Sequence, residues 1–478
     1  MKDLLDNFAM TIRGERRTTA QGIEVINPAA GRAFAFAPDA EKSHLDDAVA
    51  SAREAFRGWR QRPDSVRRDA VHACGTRLIE CAGELAQILT REQGKPLGDA
   101  REEIVGAGVW CQAMASQLLP GSIVEDSADR LTEIRHVPIG VVGAIAPWNY
   151  PVILAFGKVA SALVAGNSVV LKPSPYTPLT TLKAVELLQD ILPPGVLNVV
   201  SGSDRLGPWL TEHEGIDKIS FTGSTATGKA VMRSAATSLK RITLELGGND
   251  PAIVLPDVDI DEIAPHLFWA AFRNSGQICM ATKRLFVHDD IYDAIKDALV
   301  RYASTVRIGD GALEGVQLGP VQNARQFERV AGLIDDCNKR GLNFVAGGEF
   351  RRNAPGYFVP ISIVDNPPDD TPVVAEEAFG PLLPVMSFQT IDDVIARANN
   401  SPYGLTASVW SKNVPAAKDV ARQLDCGTVW INEVHHLTPL MPFGGHKQSG
   451  LGVESGTEGL LEYTNTQTLT TRHATAMA

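Results

Sequence analysis

The chain has 478 residues and a mass of 51.3 kDa, and its hydrophobic (44%) and charged (21%) fractions are those of a folded globular protein. Single hydrophobic cores stop growing at roughly 250–300 residues, so this length predicts at least two domains. The net charge of −11 argues against a nucleic-acid backbone or an anionic membrane surface as the main partner.

Hydropathy and cysteine usage predict a cytoplasmic chain with reduced thiols. The most apolar run, residues 137–148, contains two prolines and is shorter than the roughly 20 residues that a membrane-spanning helix needs. Residues 1–17 mix acids and bases and lack the apolar core of a signal peptide. The six cysteines (74, 81, 111, 279, 337 and 426) contain no C-x-x-C pair and no compact disulfide framework.

The first part of the chain carries turn signals over residues 1–40 and then becomes helical. Apolar residues at helical spacing predict the buried face of a helix that ends before Pro63: Leu45, Val49, Ala52, Phe56 and Trp59. More helix is predicted from residue 65 to about 119, with a break near 94–96. These patterns indicate packing.

Short β-rich runs then alternate with helical stretches. The runs are 141–146, 168–171, 197–200 and 218–221, with helices around 151–165, 178–191 and 204–213. A second series follows Gly248, with strands at 252–255, 285–288 and 382–388 and helices around 259–275 and 290–306. Alternation at this spacing predicts βαβ units and parallel sheets, with Gly247 and Gly248 at the boundary between two α/β domains.

A glycine-rich turn, residues 221–229 (FTGSTATGK), follows a predicted strand and opens a helix. Free N–H groups at such a helix start bind phosphates in open parallel sheets. The turn nearly matches a P-loop, but Ala230 stands where that motif has Ser or Thr, and G-x-G-x-x-G does not match either. The turn alone therefore leaves phosphate binding and a plain strand-to-helix connection open.

Three further residues are candidates for chemistry. A free cysteine such as Cys279 is more often a small buried apolar residue than a nucleophile, so it decides nothing alone. Glu245 lies between two leucines, where burial would raise its pKa and suit a general base; an edge-strand glutamate facing solvent is the alternative. Asn149 follows an apolar strand and can donate to an oxyanion, although prolines flanking an Asn also make an ordinary turn.

The sequence contains no recognised motif for a metal site or for another catalytic nucleophile. The sequence contains no H-E-x-x-H, no paired Cys/His spacing and no G-x-S-x-G. His435 and His436 are adjacent, so their side chains diverge in regular structure and indicate a surface or pocket wall. We expect no metal.

Taken together, seven segments resemble the aldehyde dehydrogenase superfamily, in its order and approximate spacing. They are residues 147–151 (PWNYP), 171–174 (LKPS), 221–224 (FTGS), 244–248 (LELGG), 276–279 (GQIC), 376–381 (EEAFGP) and 442–445 (PFGG). Each segment is weak alone, and the ordered set is specific.

The resemblance implies a mechanism of aldehyde oxidation. Cys279 would attack the aldehyde, the Asn149 amide and the Cys279 backbone N–H would stabilise the oxyanion, and Glu245 would activate water to release the acid from a thioester. It implies NAD or NADP as cofactor. The residues that would hold it are Trp148, Lys172, Ser174, Pro175, Gly223, Ser224, Gly247, Glu377 and Phe379.

The resemblance also implies an aldehyde tunnel. Its lining would be Tyr150, Leu154, Gly157, Ile278, Met280, His435, His436 and Leu437. Gly157 stands where many relatives carry a bulky aromatic, which predicts a wider tunnel, and none of these positions is an arginine. We therefore predict an apolar aliphatic or aromatic substrate. At Pro175 many NAD-preferring relatives carry a glutamate, so we predict that NADP⁺ is accepted along with NAD⁺.

The implied fold is α/β, with a Rossmann-type coenzyme domain (1–117 and 137–247), a catalytic domain (248–447) and a small β flap (118–136 and 463–474), while 448–462 returns to the coenzyme domain. Alternating threonines from Thr464 to Thr470 fit a flap strand. Such a sheet edge needs a second chain, which implies a homodimer or homotetramer.

Rival interpretations remain. A CoA-acylating member of the superfamily generally lacks the glutamate base, and Glu245 is present. A non-catalytic binding protein on this scaffold usually loses the nucleophile or the base, and both stand here. A semialdehyde substrate and a distant γ-glutamyl phosphate reductase are the further alternatives.

Overall fold

This computed structural model describes residues 7–473, in which four strands are followed by four helices and then by a mixture of strands and helices. The strands are β1 (Met10–Ile12), β2 (Glu15–Arg17), β3 (Gly22–Asn27), β4 (Arg32–Pro38), β5 (Ser122–Asp126), β6 (Arg130–Pro138), β7 (Val141–Ile145), β8 (Ser168–Lys172), β9 (Leu197–Val199), β10 (Lys218–Thr222), β11 (Arg241–Glu245), β12 (Asp250–Val254), β13 (Thr282–His288), β14 (Asn343–Ala346), β15 (Ser362–Asp365), β16 (Leu382–Phe388), β17 (Tyr403–Gly404), β18 (Thr406–Trp410), β19 (Thr428–Ile431), β20 (His446–Lys447), β21 (Gly450–Leu451) and β22 (Thr464–Arg472).

The helices lie between these strands. They are α1 (Lys42–Trp59), α2 (Asp64–Glu80), α3 (Ala82–Gln93), α4 (Leu97–Ala115), α5 (Pro151–Val164), α6 (Leu179–Glu186), α7 (Leu206–Glu212), α8 (Thr225–Ala236), α9 (Ile260–Phe272), α10 (Tyr292–Ala303), α11 (Ala324–Lys339), α12 (Pro372–Ala375), α13 (Ile391–Asn399), α14 (Val414–Ala421) and α15 (Gly456–Leu461). Among residues 7–473, no helix combines the length and apolar character needed to cross a bilayer.

The first large sheet has eight strands in the order β2-β1-β9-β8-β7-β10-β11-β21. Its five central strands are parallel, and β1 and β21 pair antiparallel at its sides. Every residue of β7, β8 and β10 is buried. Continuous burial is what parallel strands covered on both faces require, and it explains why these runs are apolar throughout.

The second large sheet has seven strands in the order β14-β15-β16-β13-β12-β18-β19. All neighbours are parallel except β14 and β15. Only four residues, 246–249, separate β11 of the first sheet from β12 of the second. The two sheets therefore meet at the carboxyl end of β11, the edge where open parallel sheets bind ligands.

A three-stranded antiparallel sheet, β22-β6-β5, stands apart from the other two. Thr464 pairs with Pro138 and Arg472 with Arg130, so the predicted C-terminal strand exists and runs along β6. Two small pairs, β3 with β4 and β17 with β20, complete the sheets. The domain boundaries stay a prediction, and residues 1–6 and 474 of the predicted division lie outside the described residues.

Most predicted elements are confirmed to within a few residues, and the predicted face of α1 is buried at all five positions. Two predicted helices are too long. The helix predicted over 178–191 ends at Glu186, because the chain beyond it closes tighter three-residue turns ahead of two prolines. The helix predicted over 259–275 ends at Phe272, because the residues that follow adopt left-handed backbone angles.

Candidate active site

The predicted catalytic and cofactor residues meet at the carboxyl edge of the first sheet. Asn149 follows β7, Lys172 ends β8, Ser224 follows β10 and Glu245 ends β11. The strands β8, β7, β10 and β11 are adjacent in this order, so residues far apart in sequence become neighbours. Cys279 approaches the same edge from the loop between α9 and β13.

The loop before Cys279 has an unusual backbone. Asn274, Ser275 and Gly276 have φ angles of 52°, 56° and 71°, all in the left-handed region. A Cβ on Gly276 would lie 2.2 Å from the carbonyl oxygen of Gly380, so this position requires glycine. The Ser275 hydroxyl donates to the Gly319 carbonyl (2.7 Å) and holds the loop. Strain of this kind persists only where the surroundings over-determine the backbone, as they do at functional sites.

Asn149 is fixed against this loop. Its Nδ2 donates to the carbonyl of Gln277 (2.9 Å), two residues before Cys279, and only 4% of the residue is exposed. Its own carbonyl accepts from the Lys95 ammonium (2.9 Å), which also pairs with Glu103 at 2.5 Å. Glu103 in turn accepts from the Val152 N–H (2.9 Å) at the start of α5. The amide therefore has one remaining hydrogen and a fixed orientation beside the cysteine.

The Cys279 thiol is half-buried and sits among more acids than bases. Burial raises the pKa of Cys279 to about 12; Lys283 lowers it, and Glu245, Asp250 and Glu377 raise it further. Forming a thiolate here requires positive charge or hydrogen-bond donors at the sulfur.

Glu245 is 5% exposed, and neither carboxylate oxygen has a hydrogen-bond partner among residues 7–473. Burial raises the pKa of Glu245 well above its ordinary value, Glu454 raises it further and Lys158 lowers it. Lys158 and Glu454 form a short ion pair, and the Ser220 hydroxyl donates to the same Glu454 oxygen (3.1 Å). Glu245 is thus a buried carboxyl group without a hydrogen-bond partner in the described part of the chain, with a charged pair beside it.

Lys172 and its neighbours form a second group at the end of β8. Lys172 is 5% exposed, and its ammonium contacts the carbonyl of Pro173 (3.4 Å). Burial lowers the pKa of Lys172 to about 8, and Asp204 opposes that shift. Ser174 is buried and its Oγ accepts from the Tyr176 N–H (3.3 Å), while Pro175 is half-buried. A buried ammonium with a single weak acceptor is suited to receive ligand oxygens.

The glycine-rich turn begins α8. Ser224 is the N-cap, and its hydroxyl accepts from the Thr227 N–H (3.3 Å). A Cβ on Gly223 would lie 2.5 Å from the Phe221 ring, so this turn stays bare of side chain. The helix start leaves the N–H groups that bind a pyrophosphate in open parallel sheets.

Glu377, Phe379 and Trp148 close the other side of the site. Glu377 accepts from the Gly248 N–H (3.2 Å), and a Cβ on Gly247 would lie 2.2 Å from a Glu377 oxygen. The rings of Trp148 and Phe379 meet edge to face with centroids 5.3 Å apart. The site thus combines a carboxylate, two aromatic rings and backbone without side chains with the buried Lys172 ammonium and the start of α8. This combination fits a dinucleotide cofactor.

The predicted tunnel residues do not all share one environment. Tyr150, Leu154, Gly157, Met280, His435 and Leu437 are half-buried, Ile278 is buried and His436 is exposed. A Cβ on Gly157 would lie 3.6 Å from the Trp110 indole nitrogen, so α4 supplies an aromatic ring beside the glycine. The Nε2 of His435 is buried without a partner in the described chain, and burial lowers the pKa of His435 to about 3.

Several charged residues of the site were not predicted from the sequence. Arg273 affects the pKa of both Tyr150 and His435, so it lies near this end of the tunnel, and it pairs with Glu102 at 2.9 Å. Lys95, Lys158, Lys283, Glu103 and Glu454 were also missed. Lys158 gave a usable signal, because it is the single charge in the otherwise apolar segment 151–164.

Comparisons with known proteins show which family this chain is similar to. Residues 15–469 match the aldehyde dehydrogenase family. A Pseudomonas sp. protein named "Probable aldehyde dehydrogenase" is 44% identical over 470 residues, covering 97% of this chain and 94% of that protein.

Two solved structures have nearly the same fold. The NAD⁺ complex of an aldehyde dehydrogenase from Bacillus cereus is 38% identical with a TM-score of 0.95, covering 98% of this chain and 97% of that one. An E. coli NADP-dependent enzyme is 34% identical with a TM-score of 0.95, covering 98% and 99%.

Proposed function

We propose that this chain, which belongs to the aldehyde dehydrogenase family and is an NAD(P)-dependent aldehyde dehydrogenase, oxidises its aldehyde to the carboxylic acid through a covalent adduct on Cys279. The observation that carries the proposal is the convergence of Asn149, Glu245 and Cys279, which three separate segments bring to one sheet edge. A nucleophile, an oxyanion donor and an unpartnered carboxyl group are the parts that this chemistry needs.

In the first step, the Cys279 thiolate attacks the carbonyl carbon and forms a thiohemiacetal. The negative charge that develops on oxygen accepts a hydrogen bond from the free amide hydrogen of Asn149. The bond from Asn149 Nδ2 to the Gln277 carbonyl supports this role, because it fixes the amide next to the cysteine before substrate arrives. Oxidation of the adduct leaves an acyl thioester on Cys279.

In the second step, Glu245 takes a proton from water as that water attacks the thioester. Its pKa is raised above the ordinary value of a carboxyl group, as suits a general base, and neither oxygen has a hydrogen-bond partner among residues 7–473, so both are able to accept from a water. The adjacent Lys158–Glu454 pair tunes Glu245, since the acid raises its pKa and the lysine lowers it. The carboxylic acid product is then released, which regenerates the free Cys279 thiol.

The cofactor would lie across the same edge. Lys172 and Ser174 would bind the adenosine ribose, Ser224 and the start of α8 the pyrophosphate, and Glu377 the nicotinamide ribose, with Trp148 and Phe379 against the ring. When bound, the nicotinamide supplies the electron-pair acceptor that the oxidation requires. This chain's own residues bind the cofactor, orient it and exclude water.

The direct test is to incubate purified protein with aldehyde and NAD⁺ or NADP⁺, with and without CoA, and to follow reduced cofactor by absorbance. We expect acid as the product, with no requirement for CoA. A product that forms only as the CoA thioester would favour the acylating alternative, and no reduced cofactor from any aldehyde would overturn the proposal.

For the substrate we propose an apolar aliphatic or aromatic aldehyde, because Leu154, Ile278 and Leu437 would line the tunnel. A second candidate, a carboxylate-bearing semialdehyde, is favoured by Arg273, which lies close enough to Tyr150 and His435 to affect their pKa. A kcat/KM panel across aliphatic, aromatic and carboxy-aldehydes on wild type and Arg273→Leu separates the two. Loss confined to carboxy-aldehydes in the variant would favour the second candidate.

A further inference from the structure

Lys283 is a buried cation that the mechanism above does not use. It lies in β13, four positions after Cys279, and its side chain is 5% exposed. Its ammonium donates to the backbone carbonyls of Cys279 (2.7 Å), Ile278 (2.8 Å) and Ala281 (3.3 Å). All three hydrogens of the ammonium therefore point at the loop that carries the cysteine.

The same ammonium faces Glu377 on its other side. The Nζ of Lys283 is 3.7 Å from a Glu377 carboxylate oxygen and 5.9 Å from the centroid of the Phe379 ring. Glu377 also accepts from the Gly248 N–H (3.2 Å). One charge thus joins the cysteine loop to the acidic and aromatic residues on the cofactor side of the site.

Burying the Lys283 ammonium has a desolvation cost. A neutral side chain could fill the same space without that cost, so the charge itself needs an explanation. The carbonyls offset that cost and fix the position of the charge. Because a fixed charge in a poorly solvated site acts strongly on its neighbours, Lys283 must influence whatever ionises beside it.

We propose that Lys283 is a positioning residue of the oxidation, whose ammonium holds the cysteine loop and Glu377 together and supplies the positive potential under which the Cys279 thiol ionises. The inference rests on the proposed role of Cys279. It adds a second part to that role, because Asn149 acts on the substrate oxygen whereas Lys283 acts on the sulfur and on the cofactor side.

The charges around Cys279 support this assignment. The charged groups that act most on the pKa of Cys279 are Lys283 on β13, Glu245 on β11, Asp250 on β12 and Glu377 after α12, and the Tyr150 hydroxyl before α5 interacts with the same thiol. Lys283 is the single cation among these groups, and it lowers the pKa of Cys279 whereas the carboxylates raise it. Removing the lysine leaves only acids in this set, so the thiolate should become harder to form.

The test measures the reactivity of Cys279 and the binding of cofactor, neither of which needs a substrate. The variants are Lys283→Met, which removes the charge and the donors, Lys283→Gln, which keeps donors without charge, and Lys283→Arg, which keeps the charge. The matched control is Lys412→Met at an exposed lysine. The rate of Cys279 alkylation by iodoacetamide is measured by mass spectrometry at fixed pH values from 6 to 10, where it follows the small thiolate fraction, and NAD⁺ binding is measured by calorimetry.

We expect the alkylation rate at a given pH to fall about tenfold or more in Lys283→Met and Lys283→Gln, which corresponds to a rise of about one unit in the pKa of the thiol. The NAD⁺ Kd should rise in the same two variants, while Lys283→Arg and Lys412→Met keep an alkylation rate close to that of wild type. A purely structural lysine would change thermal stability without changing that rate.

An unchanged alkylation rate in Lys283→Gln, in a variant whose melting temperature shows that it is folded, would overturn the proposal. If Lys283→Met does not fold, Lys283→Gln and Lys283→Arg decide the outcome between them. Failure of the proposed function appears elsewhere, as a wild type that reduces no cofactor with any aldehyde, or as alkylation of Cys279 that leaves turnover intact.

Discussion

The proposed catalytic edge of the first sheet and the three-stranded sheet β22-β6-β5 differ in how far their side chains are buried. At the edge, Glu245 is 5% exposed, and burial shifts the pKa of Glu245 and of Cys279. In the sheet, the apolar side chains of Ile123 and Val124 are 63% and 64% exposed. The edge therefore buries the groups proposed for its chemistry within one chain, whereas the sheet leaves apolar surface exposed, which is where the predicted homo-oligomer would be joined.

The largest effect should come from removing the nucleophile at the edge. Cys279→Ala should reduce aldehyde oxidation below a few per cent of wild type and leave NAD⁺ affinity nearly intact, because the residues proposed to bind the cofactor are others. Turnover is followed by cofactor absorbance and affinity by calorimetry. Cys426→Ala, another half-buried free cysteine, is the control and should stay active. A Cys279→Ala enzyme that retains substantial kcat contradicts the mechanism.

The next effect tests the buried base. Glu245→Gln should slow deacylation by ~10²–10⁴-fold while leaving acylation fast, since only the water needs a base. Stopped-flow absorbance should record a burst of reduced cofactor followed by a stalled steady state. In wild type, the pKa of Glu245 is raised and the ionised form is active, so deacylation should increase with pH along its acid limb. Unchanged turnover in the variant would remove Glu245 from the mechanism.

A somewhat smaller loss is expected at the oxyanion donor. Asn149→Ala should lower kcat by ~10²–10³-fold, the usual effect of losing one such donor. Steady-state kinetics on wild type and variant give the split between kcat and KM. An effect on KM alone would make Asn149 a substrate-positioning residue instead.

These three side chains could be found from the sequence because each lies in a short, recognisable segment. The charges around them could not. Lys158 and Glu454 are 296 positions apart, and no local sequence pattern predicts that they pair. Arg273 lies within the helix predicted over 259–275, but the observed helix ends at Phe272 and the left-handed residues 274–276 change the direction of the chain there. The helices and parallel strands were predictable from periodicity, whereas contacts between distant elements depend on the tertiary fold.

The role of the three-stranded sheet can be tested by measuring self-association of the protein. Deleting residues 464–478 removes β22 and should weaken self-association, which light scattering coupled to size exclusion measures. A milder variant, Leu469→Asp, places a charge on an apolar side chain that is 44% exposed in this strand. Val414→Asp makes the same change at a 40% exposed position of α14 and should have no effect. A monomeric wild type would contradict the predicted homo-oligomer.

The smallest expected effect is on cofactor choice. It concerns the end of β8, where Lys172 is buried and Pro175 is half-buried. We expect both NAD⁺ and NADP⁺ to be used, with a preference no greater than ~100-fold, about two tenfold steps of 1.4 kcal/mol. Pro175→Glu should favour NAD⁺, chiefly by raising KM for NADP⁺, because a carboxylate repels the 2′-phosphate and accepts from a free hydroxyl.

The pH dependence of cofactor choice gives a second measurement. The pKa of Lys172 is about 8, so its charge is present below that pH and lost above it, and KM for NADP⁺ should rise as the medium becomes more alkaline. The measurement is kcat/KM for both cofactors on wild type and Pro175→Glu. A wild type with no detectable NADP⁺ activity contradicts the prediction.

The pairing of β6 with β22 has a consequence for biosynthesis. Thr132 and Thr470 face each other across this sheet although they are 338 positions apart, so strand 130–138 leaves the ribosome long before its partner exists. Loop closure over such a span makes this a slow contact, and the edge of β6 stays unpaired throughout elongation. The finished sheet, and with it the surface that the predicted homo-oligomer would use, can therefore form only after residues 464–472 have been translated.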